Sequence, residues 1–121
     1  MADGQKKIIV VDDNDSNLLT CKNILRPYYS VFTVPSAARM FDLIGKISPN
    51  LILLDVEMPE MDGYEAAQKL KTEHKEIPFI FLTGNADAES QKKGMELGAL
   101  DYIHKPFVAE VLLKRLESHL G

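Results

Sequence analysis

Five short apolar runs punctuate the chain, at residues 8–11, 31–34, 51–54, 79–82 and, more weakly, 102–103. The first, third and fourth, IIVV, LILL and FIFL, are apolar without a break. A strand with one wet face alternates apolar and polar residues. Unbroken runs instead predict strands buried on both faces, as in a parallel sheet covered by helices. Between the runs the apolar period lengthens to that of a helix. Leu18, Cys21, Ile24 and Leu25 share a face ahead of Pro27, whose ring would stop a helix. Ala37, Met40, Phe41, Ile44 and Ile47 share another behind Ser36, the expected N-cap. Gly63, Ala66, Ala67 and Leu70 form a narrow face behind Asp62, and Glu65 three residues on suggests a capping box. Val108, Val111, Leu112 and Leu116 define the last helix. Residues 87–97 carry the poorest stripe, chiefly Met95 and Leu97, and read as a fourth helix. Met40 and Met95 read as core, and Met58 and Met61 as loop residues that pack.

Strand and helix thus alternate five times, which implies right-handed crossovers and one parallel sheet in an α/β fold. The length of 121 residues suits a single domain with a core that needs no staples. Fourteen Lys and Arg stand against 18 Asp and Glu, a formal charge of −4. That balance argues against a nucleic-acid or anionic-membrane binder. Cys21 is the single cysteine, so no intrachain disulfide forms, which fits a reducing compartment. The amino terminus, MADGQKK before a four-residue apolar run, lacks the pattern of a secretion signal. No run approaches the ~20 apolar residues of a membrane helix. A cytoplasmic chain is the expectation.

Open parallel sheets bind ligands beyond the carboxyl ends of their strands. There the sequence places Asp12 and Asp13 after the first strand and Asp55 after the third. Thr83 and Gly84 follow the fourth, and Lys105 and Pro106 the fifth. Taken singly, each has an ordinary reading, as a helix-terminal charge pair, a loop cap or a turn. Together they put three carboxylates, a hydroxyl and an ammonium at one edge. Three neighbouring carboxylates raise one another's proton affinity unless a cation compensates. A hard divalent ion such as Mg²⁺ (or Mn²⁺) suits oxygen ligands shared with a phosphate. Lysine and threonine can hold the remaining phosphate oxygens. These parts fit in-line phosphoryl transfer onto a carboxylate. Asp55 is the preferred nucleophile because it ends the most apolar strand; Asp12 and Asp13 are better placed as metal ligands.

The motifs VVDDN at 10–14, LLDVEMPEMDG at 53–63, FLTGN at 81–85 and DYIHKPF at 101–107 resemble those of bacterial response regulator receiver domains, the CheY-like family. The resemblance runs from about residue 6 to residue 120. It implies a doubly wound, flavodoxin-like (βα)5 three-layer sandwich with strand order 2-1-3-4-5. It also implies one receiver domain over residues 1–121 with no output domain in this chain. Function would be phosphorylation of Asp55 by a sensor histidine kinase or histidine phosphotransfer protein. Mg²⁺ would be held by Asp13, Asp55 and the Glu57 carbonyl, and by Asp12 through water. Thr83 and Lys105 would bind the phosphoryl group, and the Lys105–Pro106 bond would be cis. Thr83 would then move, and Tyr102 would rotate into the space it leaves. The changed face, helix 4, strand 5 and helix 5, would meet an effector, a fused output domain or a second copy. No external substrate would be turned over. Gly84 departs from the alanine frequent in the family and leaves room for water, while Glu57 and Asn85 occupy positions that tune the acyl-phosphate lifetime.

Two other classes share part of this pattern. A small phosphatase with an aspartate nucleophile would also use Mg²⁺, and Glu57 loosely fits its second carboxylate; turnover of a phosphomonoester would reveal it. A flavodoxin-like FMN carrier shares the fold, but the first strand–helix connection is acidic and carries no phosphate loop. The histidines, His74, His104 and His119, are scattered without metal spacing, and His104 should face away from Lys105.

Overall fold

The computed structural model describes residues 5–84 and 87–120. Five strands and five helices alternate along the chain: β1 (Lys7–Val11), α1 (Asp15–Leu25), β2 (Ser30–Val34), α2 (Ala37–Ile47), β3 (Leu51–Asp55), α3 (Gly63–Glu73), β4 (Phe79–Thr83), α4 (Ala88–Glu96), β5 (Asp101–His104) and α5 (Ala109–Leu120). All neighbouring strands pair parallel, in the order β2-β1-β3-β4-β5. The three unbroken apolar runs are the three central strands, and every residue of β3 and β4 is buried. At the edge, β2 is only half covered over most of its length.

The period of two along each strand divides the core into two layers. Ile8, Val10, Leu51, Leu53, Ile80, Leu82 and Ile103 face α1 and α5, where Cys21, Leu25, Leu112 and Leu116 meet them. Ile9, Val11, Ile52, Leu54, Phe79, Phe81 and Tyr102 face the other way, against Met40, Ala66, Ala67 and Leu70. Truncating one fully buried leucine of these layers to alanine would cost about 2–5 kcal/mol.

The helix ends follow local chemistry. Asn14 caps α1 by accepting from the Asn17 amide, and the helix stops at Leu25, two residues before Pro27. Ser36 caps α2, and Asp62 with Glu65 closes a full capping box on α3. Two apolar readings are corrected. Met95 is 44% exposed rather than core, because Gly94 is the buried residue of α4. Val108 precedes α5 and is 60% exposed, Val111 is 46% exposed, and the buried stripe of that helix is Leu112 and Leu116. Met58 is buried and Met61 packs at the edge of the same core layer.

Candidate phosphoacceptor site

The strand period carries past the strand ends and assembles the site. Val10, Leu53 and Ile103 lie in the α1–α5 layer, and two residues further along come Asp12, Asp55 and Lys105. Three strands therefore deliver two carboxylates and an ammonium to the same side of one sheet edge. Lys105 Nζ donates to Asp12 Oδ2 and to Asp55 Oδ1, each at 2.9 Å. Asp12 and Asp55 are 1% and 2% exposed, whereas Asp13 beside them is open to solvent. One oxygen from each of the three aspartates lies within 4.8 Å of the others.

Backbone amides fix the two buried carboxylates. The Asn14 amide donates to Asp12 Oδ1 at 2.9 Å, and the Glu57 amide to Asp55 Oδ1 at 3.3 Å. Gly63 sets the loop that returns from Asp55 to α3. Its amide donates to the Val56 carbonyl at 2.9 Å, and a Cβ there would stand 2.7 Å from Val56 Cα and overlap the Asp55 carbonyl. Only glycine lets α3 start this close to the end of β3.

Thr83 is fully buried at the end of β4, and its backbone carbonyl accepts from the Lys105 amide at 2.7 Å. It follows Phe81 by two residues, on the sheet side that carries Tyr102, because Phe81 and Tyr102 are register partners. Tyr102 is buried, and its ring meets Phe81 edge-on at 5.9 Å. His104 contacts Tyr102 at 6.1 Å, on the side of β5 away from Lys105. The Lys105–Pro106 peptide bond is cis. The Glu57 side chain is exposed near Gly84, where an added Cβ would lie 4.0 Å from Glu57 Oε1. Asn85 lies outside the described residues.

Electrostatically the site is short of positive charge. Burial pushes Asp55 up to about 6; the Lys105 hydrogen bond pulls it down, and the Asp12 charge pushes it up again. Asp55 is still mainly ionised at neutral pH. Among the described residues the metal-ligand candidates are all carboxylates, and the Lys105 ammonium pairs with two of them, Asp12 and Asp55, with Asp13 beside them. This composition fits a hard divalent cation and an incoming phosphoryl group. Sequence reasoning missed Tyr64, whose hydroxyl lies 3.0 Å from that of Tyr102 and donates to the Ser90 carbonyl at 3.0 Å. It also missed the pairing of Asp101 with Arg115 and His119 at the far end of β5.

The chain is similar to known proteins over most of its length. The model of the response regulator receiver domain family matches residues 8–117. A Vibrio cholerae protein named "Probable cyclic di-GMP phosphodiesterase" is 38% identical over 120 residues, 96% of this chain and 27% of its own length. "Response regulator MprA" of a Mycobacterium species (strain KMS) is 33% identical over 94% of this chain and 50% of its own. The chain thus spans between about a quarter and a half of these relatives. Among solved structures, a CheY-like receiver domain protein from Methanospirillum hungatei superposes with a TM-score of 0.88 at 31% identity, over 96% of this chain and 94% of its own. Among the described residues no helix is long and apolar enough to cross a membrane.

Proposed function

This chain belongs to the response regulator receiver domain family, and from that membership we propose that Asp55 is its phosphoacceptor. The observation that carries the reading is the buried Asp12–Lys105–Asp55 bridge with Asp13 beside it, at the carboxyl edge of the sheet. An Asp55 oxygen attacks the phosphorus of a phosphohistidine on a sensor kinase or phosphotransfer protein. The new O–P bond forms as the N–P bond breaks, and the imidazole leaves with the electron pair. Lys105 exchanges its contact with Asp55 for a phosphoryl oxygen and neutralises part of its charge. The Thr83 hydroxyl donates to a second oxygen. Asp12, Asp13, Asp55 and the Glu57 carbonyl would hold Mg²⁺ or Mn²⁺, which would supply charge neutralisation at the phosphoryl oxygens. The chain works in the cytoplasm on this reading and turns over no external substrate.

The phosphoryl group adds strong acceptors at one point, and the readout is the face of α4, β5 and α5. Met95, Val108 and Val111 are exposed apolar residues on its two helices and their approaches, which suits docking of an effector, an output domain or a second copy. Acetyl phosphate with Mg²⁺ tests the assignment. The wild type should gain a base-labile phosphoryl adduct and Asp55→Asn none; an undiminished adduct on the variant would refute it. Thr83→Ala should still be phosphorylated but lose the phosphorylation-dependent gain in partner affinity.

A further inference from the structure

We propose that Tyr64 is a positioning residue of the switch, tying Tyr102 in its buried position to the main chain of α4. The proposal rests on the reading of Tyr102 as the switch aromatic and names what holds it. Tyr64 is the second residue of α3, fixed in place by Gly63 against the end of β3 and by the Asp62–Glu65 capping box. Its ring meets Phe81 edge-on at 5.2 Å. Its hydroxyl lies 3.0 Å from the Ser90 carbonyl of α4 and 3.0 Å from the Tyr102 hydroxyl of β5.

Proton bookkeeping gives this pair a direction. A carbonyl only accepts, so the single Tyr64 proton goes to Ser90. The hydrogen bond between the two phenols must then run from Tyr102 to the Tyr64 oxygen. The result is a donor chain from Tyr102 to Tyr64 to the α4 backbone, in which each bond polarises the next. Two further contacts seat α4 on the same aromatic group. The Lys93 ammonium lies 4.6 Å over the Tyr64 ring. Gly94 touches the rings so closely that a Cβ would stand 2.9 Å from both Phe81 and Tyr102. If Tyr102 swings out, Tyr64 loses its donor and the floor under Gly94 is removed. The positions of Tyr102 and α4 are therefore coupled through the Tyr64 hydroxyl as well as through the direct approach of Gly94 to the Tyr102 ring.

Tyr64→Phe deletes that hydroxyl and keeps the ring. The test is amide hydrogen exchange of α4 in the unphosphorylated protein, with ¹³C-tyrosine NMR of Tyr102. In Tyr64→Phe the protected α4 amides should exchange about fivefold faster, the loss expected for one hydrogen bond. The Tyr102 ring signals should move toward solvent-exposed values. In Tyr102→Phe, Tyr64 still donates to Ser90, so α4 protection should stay within about twofold of wild type. Unchanged exchange and unchanged Tyr102 signals in Tyr64→Phe would overturn the proposal. So would equal loosening by both variants, which would make Tyr102 the anchor. Phosphorylation by acetyl phosphate should be the same in all three proteins. Failure of the switch reading has a separate signature: Tyr102 signals of the wild type that do not respond to phosphorylation.

Discussion

The two ends of β5 carry opposite electrostatic designs. At the carboxyl end, Lys105 faces the buried Asp12 and Asp55, with Asp13 beside them. At the amino end, Asp101 alone meets Arg115 and His119 of α5 and accepts from the Tyr102 amide at 2.8 Å. Burial pushes both carboxyls up. At Asp101 the hydrogen bonds from Arg115, the Tyr102 amide and His119 outweigh it, and the group lies below the usual carboxylate range. At Asp55 burial and the Asp12 charge prevail over Lys105, and the group rises to about 6. One end holds its acid satisfied and pins α5 to the sheet. The other holds its acids under-compensated, which costs stability and leaves room for a cation and a phosphoryl group. Electrostatic shortage fits the proposed functional end, and sufficiency fits a structural one.

The largest test of this contrast removes each end's cation. Lys105→Met leaves two carboxylates with about 1–2% exposure and no ammonium. Breaking a buried pair on one side costs about 3–5 kcal/mol, and chemical denaturation at pH 7.5 in EDTA should show a loss of that order. Adding Mg²⁺ should restore much of it. Arg115→Met removes a pair whose arginine is 48% exposed. It should cost under about 1 kcal/mol, with no response to Mg²⁺. Equal costs at both ends, or a Lys105→Met loss that Mg²⁺ does not touch, would break the contrast.

Removing the acid instead of the base should change sign between the ends. Asp55 is raised from 3.8 to about 6 on folding, so the native state binds the extra proton. Its contribution is present below pH ~4 and is lost as pH rises through about 6. In EDTA the wild type should therefore lose stability between about pH 4 and 6 relative to Asp55→Asn, and the variant should melt higher at pH 7.5. Asp101 is lowered, so its contribution is present above pH ~4 and is lost as pH falls through its folded value. Asp101→Asn should melt lower than wild type at pH 7, with the difference closing in acid. Thermal melts of the two variants across pH 3–8 check both slopes.

Much of this arrangement was legible in the sequence because a parallel sheet makes strand ends into neighbours. Asp12, Asp55, Thr83 and Lys105 each follow an apolar run; parallel pairing brings them to one edge, and the strand period of two sets Asp12, Asp55 and Lys105 on one side of the sheet and Thr83 on the other. What was not legible lies in contacts that no period encodes. The stripe of α4 was weak because its buried residue is Gly94, which packs by close approach and adds no apolar side chain to a pattern. Met95 filled that gap in the reading and proved exposed. Tyr64 lies 38 residues from Tyr102, and Asp101 lies 18 from His119. In both cases the partner is set by how a helix seats on the sheet, not by local spacing.

The smallest effect expected is at Gly84, and it sharpens the contrast by separating function from stability at one position. A Cβ there would meet Glu57 Oε1 at 4.0 Å, beyond contact that needs any adjustment. Gly84→Ala should therefore change stability by no more than about 0.5 kcal/mol, as for a substitution that disturbs no packed feature. The methyl would still take up space near the exposed Glu57 side chain, at the strand edge that carries the proposed phosphoacceptor. If water crosses that space to attack an aspartyl phosphate, Gly84→Ala should lengthen the acyl-phosphate lifetime while leaving the melting temperature almost unmoved. A quench-and-chase decay on both proteins measures it. An unchanged decay in Gly84→Ala would mean that water reaches the phosphorus from the Asp13 side instead, where the site is open to solvent.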